Sequence, residues 1–397
     1  MTPPIGLSEA KFLNLLDQVQ EFRDRVISPQ VVDWERSRGF PADVIASAHQ
    51  LGLLGMEIDP ELGGLGMSFS QKLRVLDVLS EVSMPYAFSL VNSHNVAARV
   101  ARHGTEEQCS RFLSDLLTGD KLGSSALTEP NAGSDFSAIA TQATSDANGW
   151  RLNGEKAWIT NAASSTVIVA YVQTDPGSRA RGIASFLIDG TRPGFERVAP
   201  YDLIGSHAIG TGGFRLDNYL ASEADLLAPA GEGFSAALAT INEARTYVAS
   251  MCCAMIEASL RSAVGYAAER ESFGKPIIEH QGLSWQLARV ANQLEAARAL
   301  TNKAVTAIEH ADSESAVLPA AHAKKFATRV AFKGLSDCMQ VLGAHGLDAA
   351  RPLARHLAAA KIAKFLAGTT EIQNHVISRR LVGRTAGPGT AGRHDAR

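Results

Sequence analysis

Three short segments of the chain concentrate hydroxyl, amide, aromatic and guanidinium side chains beside glycine and proline. They are Ala126-Leu-Thr-Glu-Pro-Asn-Ala-Gly-Ser-Asp135, Leu152-Asn-Gly-Glu-Lys-Ala-Trp-Ile-Thr-Asn161, and Glu269-Arg-Glu-Ser-Phe-Gly-Lys-Pro276 followed by His280-Gln281. Hydroxyls and backbone N–H groups, as in the first, are sensible phosphate ligands where no Gly-rich loop exists. An aromatic face beside a hydroxyl, as in the second, suits a heterocycle with polar edges, and the arginine fork of the third suits a pyrophosphate. A conventional nucleotide loop is missing: no G-x-G-x-x-G follows a strand-like run, and Gly274-Lys275 lacks a Walker glycine at the right offset. That argues against Rossmann and P-loop enzymes. The four cysteines, Cys109, Cys252, Cys253 and Cys338, form neither a C-x-x-C pair nor a ligand spacing with His. Neither a metal site nor a disulfide framework is signalled, and a reducing cytoplasm is the expected compartment.

The elements that must position these segments follow from periodicity. From Ser8 to about Leu117 the pattern is helical, with Phe12, Leu15, Leu16, Val19 and Phe22 recurring at spacings of three and four. Between Lys121 and Pro229 the period falls to two: Val167, Val169 and Tyr171 share one face, and Ile183, Ser185, Leu187 and Asp189 alternate similarly. Asn153-Gly154 between two strand-like runs predicts a hairpin turn, because both central residues of a type I′ turn need positive φ. From Gly231 to Leu381 long Ala-rich helices return. The expected organisation is an N-terminal helical domain (1–120), a middle antiparallel β domain (121–230), a C-terminal helical domain (231–383) and a frayed tail (384–397), an α+β chain overall.

Its 397 residues, 45% hydrophobic and 20% charged, suit two or three globular domains. Lys plus Arg at 38 against Asp plus Glu at 41 leaves a net charge of -3, so no basic field draws nucleic acid. Charged residues interrupt the apolar N-terminus, and no run of about 18 apolar residues occurs, so neither a signal peptide nor a membrane span is expected.

Taken together, the three segments resemble the acyl-CoA dehydrogenase family. The resemblance continues through Gln340-Val-Leu-Gly-Ala-His-Gly346 and Gly368-Thr-Thr-Glu-Ile-Gln373, and so spans nearly the whole chain in family order. It implies an N-terminal helical domain, a middle β-barrel or sandwich, a C-terminal four-helix bundle, and bound FAD whose adenine end is completed by a neighbouring subunit of a homodimer or homotetramer. It assigns Leu127, Thr128, Ser134, Trp158 and Thr160 to the flavin, ribityl chain and pyrophosphate. Arg270, Ser272, Phe273 and Gln281 fall on cross-subunit FAD contacts, and Gln340, Gly343, Thr369 and Glu371 on the remaining cofactor positions. Ser134, Asn242 and Arg245 fall where the family grips the pantetheine and nucleotide of an acyl-CoA, a channel that a carrier-protein thioester would share.

The family's usual base is the Glu of a Tyr-Glu-Gly-Thr motif, and here that stretch reads Leu366-Ala367-Gly368-Thr369. A minority of the family carries the base directly before an arginine matching Arg245, where this chain has Ala244. Glu243 is one residue earlier, about 100° round a helix, and is the remaining candidate for a relocated base. The expected function is an FAD-dependent oxidoreductase of acyl thioesters whose chemistry has moved, for example to flavin-dependent oxygenation, with O2 or an electron-transfer protein as electron partner. The alternatives are α,β-dehydrogenation with a relocated base, and a non-catalytic scaffold.

Overall fold

The computed structural model describes residues 6–147, 149–310 and 313–385. The chain forms two compact units, Met1–Ala239 and Thr240–Arg397.

In the first unit, helices α1 (Glu9–Phe22), α2 (Val31–Ser37), α3 (Ala42–Ser47), α4 (Phe69–His103) and α5 (Glu106–Thr118) precede the sheet. The two longest starts are local chemistry. Ser68 with Gln71, and Thr105 with Gln108, form reciprocal capping boxes that satisfy orphan N–H groups of α4 and α5. Helix α4 bends at Ser83 (φ −151°, ψ 94°), two residues before Pro85, because proline disfavours helical geometry just upstream and donates no hydrogen bond. Ser83 Oγ then accepts from the Tyr86 N–H and restarts the helix.

Strands β1 (Gly123–Ala126), β2 (Gln142–Asp146), β3 (Gly149–Ile159), β4 (Val167–Gln173), β5 (Ile183–Asp189), β6 (Phe195–Val198), β7 (Gly212–Ala221) and β8 (Leu226–Ala228) form one sheet. Its order is β6-β7-β3-β2-β4-β5-β8, with β1 beside β4. The sheet is mixed rather than purely antiparallel, since β1 and β2 both run parallel to β4. Strand β4 is buried on both faces, not one. Val167, Val169 and Tyr171 pack with Val96, Val100 and Phe112 of the helices, while Ile168, Ala170 and Val172 pack with Phe186, Phe214 and Tyr219. The apolar run Val-Ile-Val-Ala-Tyr-Val is the signature of such a central strand.

The hairpin expected at Asn153-Gly154 is not there. Strand β3 runs straight through, and β2 turns into β3 between Asp146 and Gly149 (φ 121°). Gly154 (φ 149°) marks a register break against β7 instead, and a Cβ there would come within 2.6 Å of Thr141 Cα. Glycine is needed for close backbone approach and a bulge, not for a turn.

The second unit holds the greater part of α6 (Glu232–Glu269), then α7 (Gln281–His310), α8 (Ser313–Val341), α9 (Leu353–Ala363) and α10 (Thr370–Thr385). Ala320, Ala321, Ala323, Ala327 and Ala331 are buried on α8 beside larger buried side chains such as Lys324, Val330 and Leu335. Helix α6 is the one described helix long and apolar enough to cross a membrane, and 61% of its apolar window is buried inside the protein. Of the expected tail, Arg384 and Thr385 continue α10, and residues 386–397 lie outside the described residues.

Candidate functional site

In the first unit the segments around Leu127 and Trp158 lie side by side. The Ala157 N–H donates to Thr128 O at 3.0 Å, and Lys156 Nζ donates to Leu127 O at 3.2 Å. Beyond Lys156 the β3–β7 register breaks again, and Trp158 takes a positive φ of 60°. This bulge turns the indole outward, leaving it 57% exposed and tilted on Tyr201 with centroids 4.3 Å apart. Asn161 (φ 63°) locks the distortion: its Nδ2 donates to Ser89 O at 2.9 Å and Gly123 O at 3.0 Å, and its Oδ1 accepts from Ser89 Oγ. An exposed tryptophan held by buried polar anchors is a binding face in waiting. Thr160 lies next to it, largely buried. Among the described residues nothing in the chain accepts from the Thr128 N–H or hydroxyl, and a Cβ on Gly133 would meet nothing within 4 Å. Ser134 is exposed on the same turn.

In the second unit the loop between α9 and α10 is gripped through its carbonyls. Arg245 Nε donates to Ala367 O at 3.4 Å, and Gln373 Nε2 to Ala367 O at 3.4 Å and Gly368 O at 3.1 Å. Lys324 Nζ donates to Lys364 O at 2.9 Å and also to Gly368 O. Ala367 sits in the left-handed region (φ 51°), uncommon for a residue with a Cβ. Arg245 is buried, and its other contact is Nη1 to Asn242 Oδ1 at 3.1 Å. Burial pulls its guanidinium down to about 10 and the Lys324 ammonium to about 7. Neither cation forms an ion pair among the described residues. Gln373 Oε1 is buried without a hydrogen-bond partner among the described residues. Glu243 is half-buried on α6, and Glu371 is exposed at the start of α10.

The remaining expected residues cluster on an arm. Strands β9 (Glu271–Ser272) and β10 (Lys275–Pro276) form a two-residue hairpin with Phe273 at φ 53° and Gly274 at φ 80°. Both signs match a type I′ turn, which glycine accepts and phenylalanine does not welcome. Phe273 is 95% exposed, with only an edge contact to His280, whose Nε2 pairs with Ser272 O. Arg270 and Gln281 are exposed at the base of the arm, while Gln340 and Gly343 lie apart at the end of α8.

Models of the acyl-CoA dehydrogenase N-terminal, middle and C-terminal domains match residues 10–120, 124–219 and 231–382. The chain belongs to the acyl-CoA dehydrogenase family. Among its relatives is an acyl-CoA dehydrogenase of Bacillus subtilis (strain 168), 32% identical over 368 residues, 92% of this chain and 97% of the relative. Butyryl-CoA dehydrogenase from Megasphaera elsdenii superposes with a TM-score of 0.89 at 30% identity, covering 95% of this chain and 99% of that one. The prolyl acyl carrier protein oxidase AnaB superposes with a TM-score of 0.87 at 25% identity, covering 94% and 100%.

As a member of this family of flavin-dependent dehydrogenases and related oxidases the protein is an enzyme, and members of the family bind FAD. In the first unit the exposed Trp158 and the Thr128 N–H and hydroxyl, which have no partner among the described residues, fit such a cofactor. Reading the motifs missed Lys156, Asn161 and Lys324 as working residues. The first two stood inside a quoted segment, but Lys324 has no local signal, since its partners lie 40 and 44 residues away in sequence.

Proposed function

We propose that this member of the acyl-CoA dehydrogenase family acts on an acyl thioester, acyl-CoA or acyl-carrier protein, by non-standard flavin chemistry such as oxygenation, in which no protein carboxylate abstracts an α-proton. FAD, when bound, supplies the redox chemistry. Thr128 and Ser134 hold its polar edge, Trp158 and Thr160 cover its ring system, and Leu127 borders it. Arg270, Ser272, Phe273 and Gln281 reach a neighbouring copy's cofactor in a dimer or tetramer, and Gln340, Gly343, Thr369 and Glu371 supply the other cofactor contacts, with Thr369 and Glu371 near the adenine. Asn242 and Arg245, with Ser134, line the thioester channel. The electron partner is O2 or an electron-transfer protein, and the setting is cytoplasmic.

The carrying observation is Ala367 itself, in unbroken register with Gly368-Thr369, with the buried Arg245 and Lys324 donating to the carbonyls of Ala367 and Gly368. A positioned base is worth roughly 10²–10⁴ in rate, about 3–5.5 kcal/mol. A reaction that needed α-proton abstraction would scarcely forgo it. Dehydrogenation with Glu243 as base is the second reading, favoured by relatives named as dehydrogenases. Anaerobic stopped-flow with short, branched and aromatic acyl-CoAs separates the two. The expected result is slow or no bleaching of the flavin. Rapid bleaching that disappears in Glu243→Gln would overturn the proposal.

A further inference from the structure

Glu129 and Lys156 form a buried ion pair behind the Leu127–Thr128 peptide. Lys156 is fully buried and Glu129 nearly so, with Nζ 2.7 Å from Oε1. Glu129 Oε2 accepts from the Ala140 N–H at 2.6 Å, and Oε1 from the Thr141 N–H at 3.1 Å. Burial pushes the carboxyl up, but Lys156 and the N–H donors outweigh it and hold it below the usual range. Burial pulls the ammonium down to about 8. A buried pair of this kind is often no more stabilising than well-packed apolar residues of the same volume. Packing alone does not account for it.

What apolar residues could not do is take the Leu127 carbonyl. In a trans peptide the C=O of one residue and the N–H of the next point in opposite directions. Lys156 Nζ on Leu127 O therefore turns the Thr128 N–H away from the pair. The next carbonyl, Thr128 O, is taken by the Ala157 N–H at 3.0 Å, and Glu129 closes its own tight turn with Ala132 through bonds of 3.0 and 3.2 Å. Three successive carbonyls are thus committed, while the Thr128 N–H and hydroxyl stay without a partner among the described residues.

We infer that Glu129 and Lys156 are positioning residues for FAD, which fix the peptide plane between Leu127 and Thr128 so that the Thr128 N–H is presented to the cofactor. The inference rests on Leu127 and Thr128 bordering the flavin and is independent of the reaction at it. The test uses the full-length protein: Lys156→Met, and Glu129→Gln/Lys156→Met, which removes both charges at similar volume. Apoprotein of each is titrated with FAD, and the melting temperature of the apoprotein and the visible circular dichroism of bound flavin are recorded alongside. Hydrogen exchange of wild type with and without FAD reports on residues 127–129. The expected result is FAD protection of that segment in wild type. The double variant should melt within a few degrees of wild type, yet bind FAD at least about tenfold more weakly, with an altered visible dichroism. No protection of residues 127–129 would overturn the site assignment. Protection there combined with a double variant that binds FAD within about twofold of wild type would overturn the brace alone. Failure of both variants to fold would reduce the pair to a structural role and overturn it too.

Discussion

Replacing Lys324 by methionine should flatten the pH dependence that this buried amine imposes on stability. Burial pulls the amine down to about 7 from 10.5; Cys252 and Glu371 oppose that shift, and Arg245 adds to it. The sign follows from proton counting. The unfolded chain keeps the proton until about 10.5 while the folded protein releases it near 7, so between those values the unfolded state binds more protons and stability rises with pH. Integrated from about pH 7 to about pH 9, the gain is about 2 kcal/mol. A neutral amine still has two N–H groups for Lys364 O and Gly368 O, so the clamp survives deprotonation. In Lys324→Met the gain disappears. Lys364 O loses its lysine donor, and Gly368 O keeps Gln373, a pH-independent loss of about 1–3 kcal/mol. Urea unfolding of the FAD-saturated proteins at about pH 7, 8 and 9 isolates the effect as the difference between wild type and variant. That difference should widen by about 2 kcal/mol across the range. Profiles parallel to within about 0.5 kcal/mol would refute the buried, easily neutralised amine.

Ala367→Glu should speed anaerobic flavin reduction by butyryl-CoA by up to about 10²-fold, since Ala367 already occupies the left-handed backbone and Arg245 lies beside it; crowding of about 1–3 kcal/mol limits the gain, and an unchanged rate counts against position 367 as the missing base. Ala367→Gly should stabilise the loop, because relief of about 1–2 kcal/mol of left-handed strain exceeds glycine's entropic cost of about 0.5–1 kcal/mol. Calorimetry should show a melting temperature higher by a few degrees, and a fall would mean the loop is not strained. Arg270→Ala should release FAD while leaving the folded assembly intact, as judged by flavin absorbance after gel filtration, because Arg270 and Phe273 sit on an exposed arm that the second unit's core does not need. Full flavin retention in that variant would remove the arm from the cofactor site.

Much of the architecture was legible in the chain because it rests on local rules. Stripes at three and four, capping boxes at Ser68 and Thr105, and the change of period near Lys121 depend on near neighbours and give helices, then strands, then helices. The cofactor segments were legible as residue types, and their order carried the family. The tertiary structure decided where the chain turns. Asn153-Gly154 satisfies the local preference for a hairpin, yet β2 turns into β3 before Gly149, and the pairing of β3 with β7 and the closeness of Thr141 to Gly154 keep Asn153 and Gly154 inside a strand. It decided that β4 is buried on both faces, since one face is covered by helices some 70 residues upstream. It also decided what Lys156, Arg245 and Lys324 do. A cation's role depends on which carbonyl or carboxylate it meets once water is gone, and those partners lie 27, 122 and 40 residues away, beyond the reach of any periodicity in sequence.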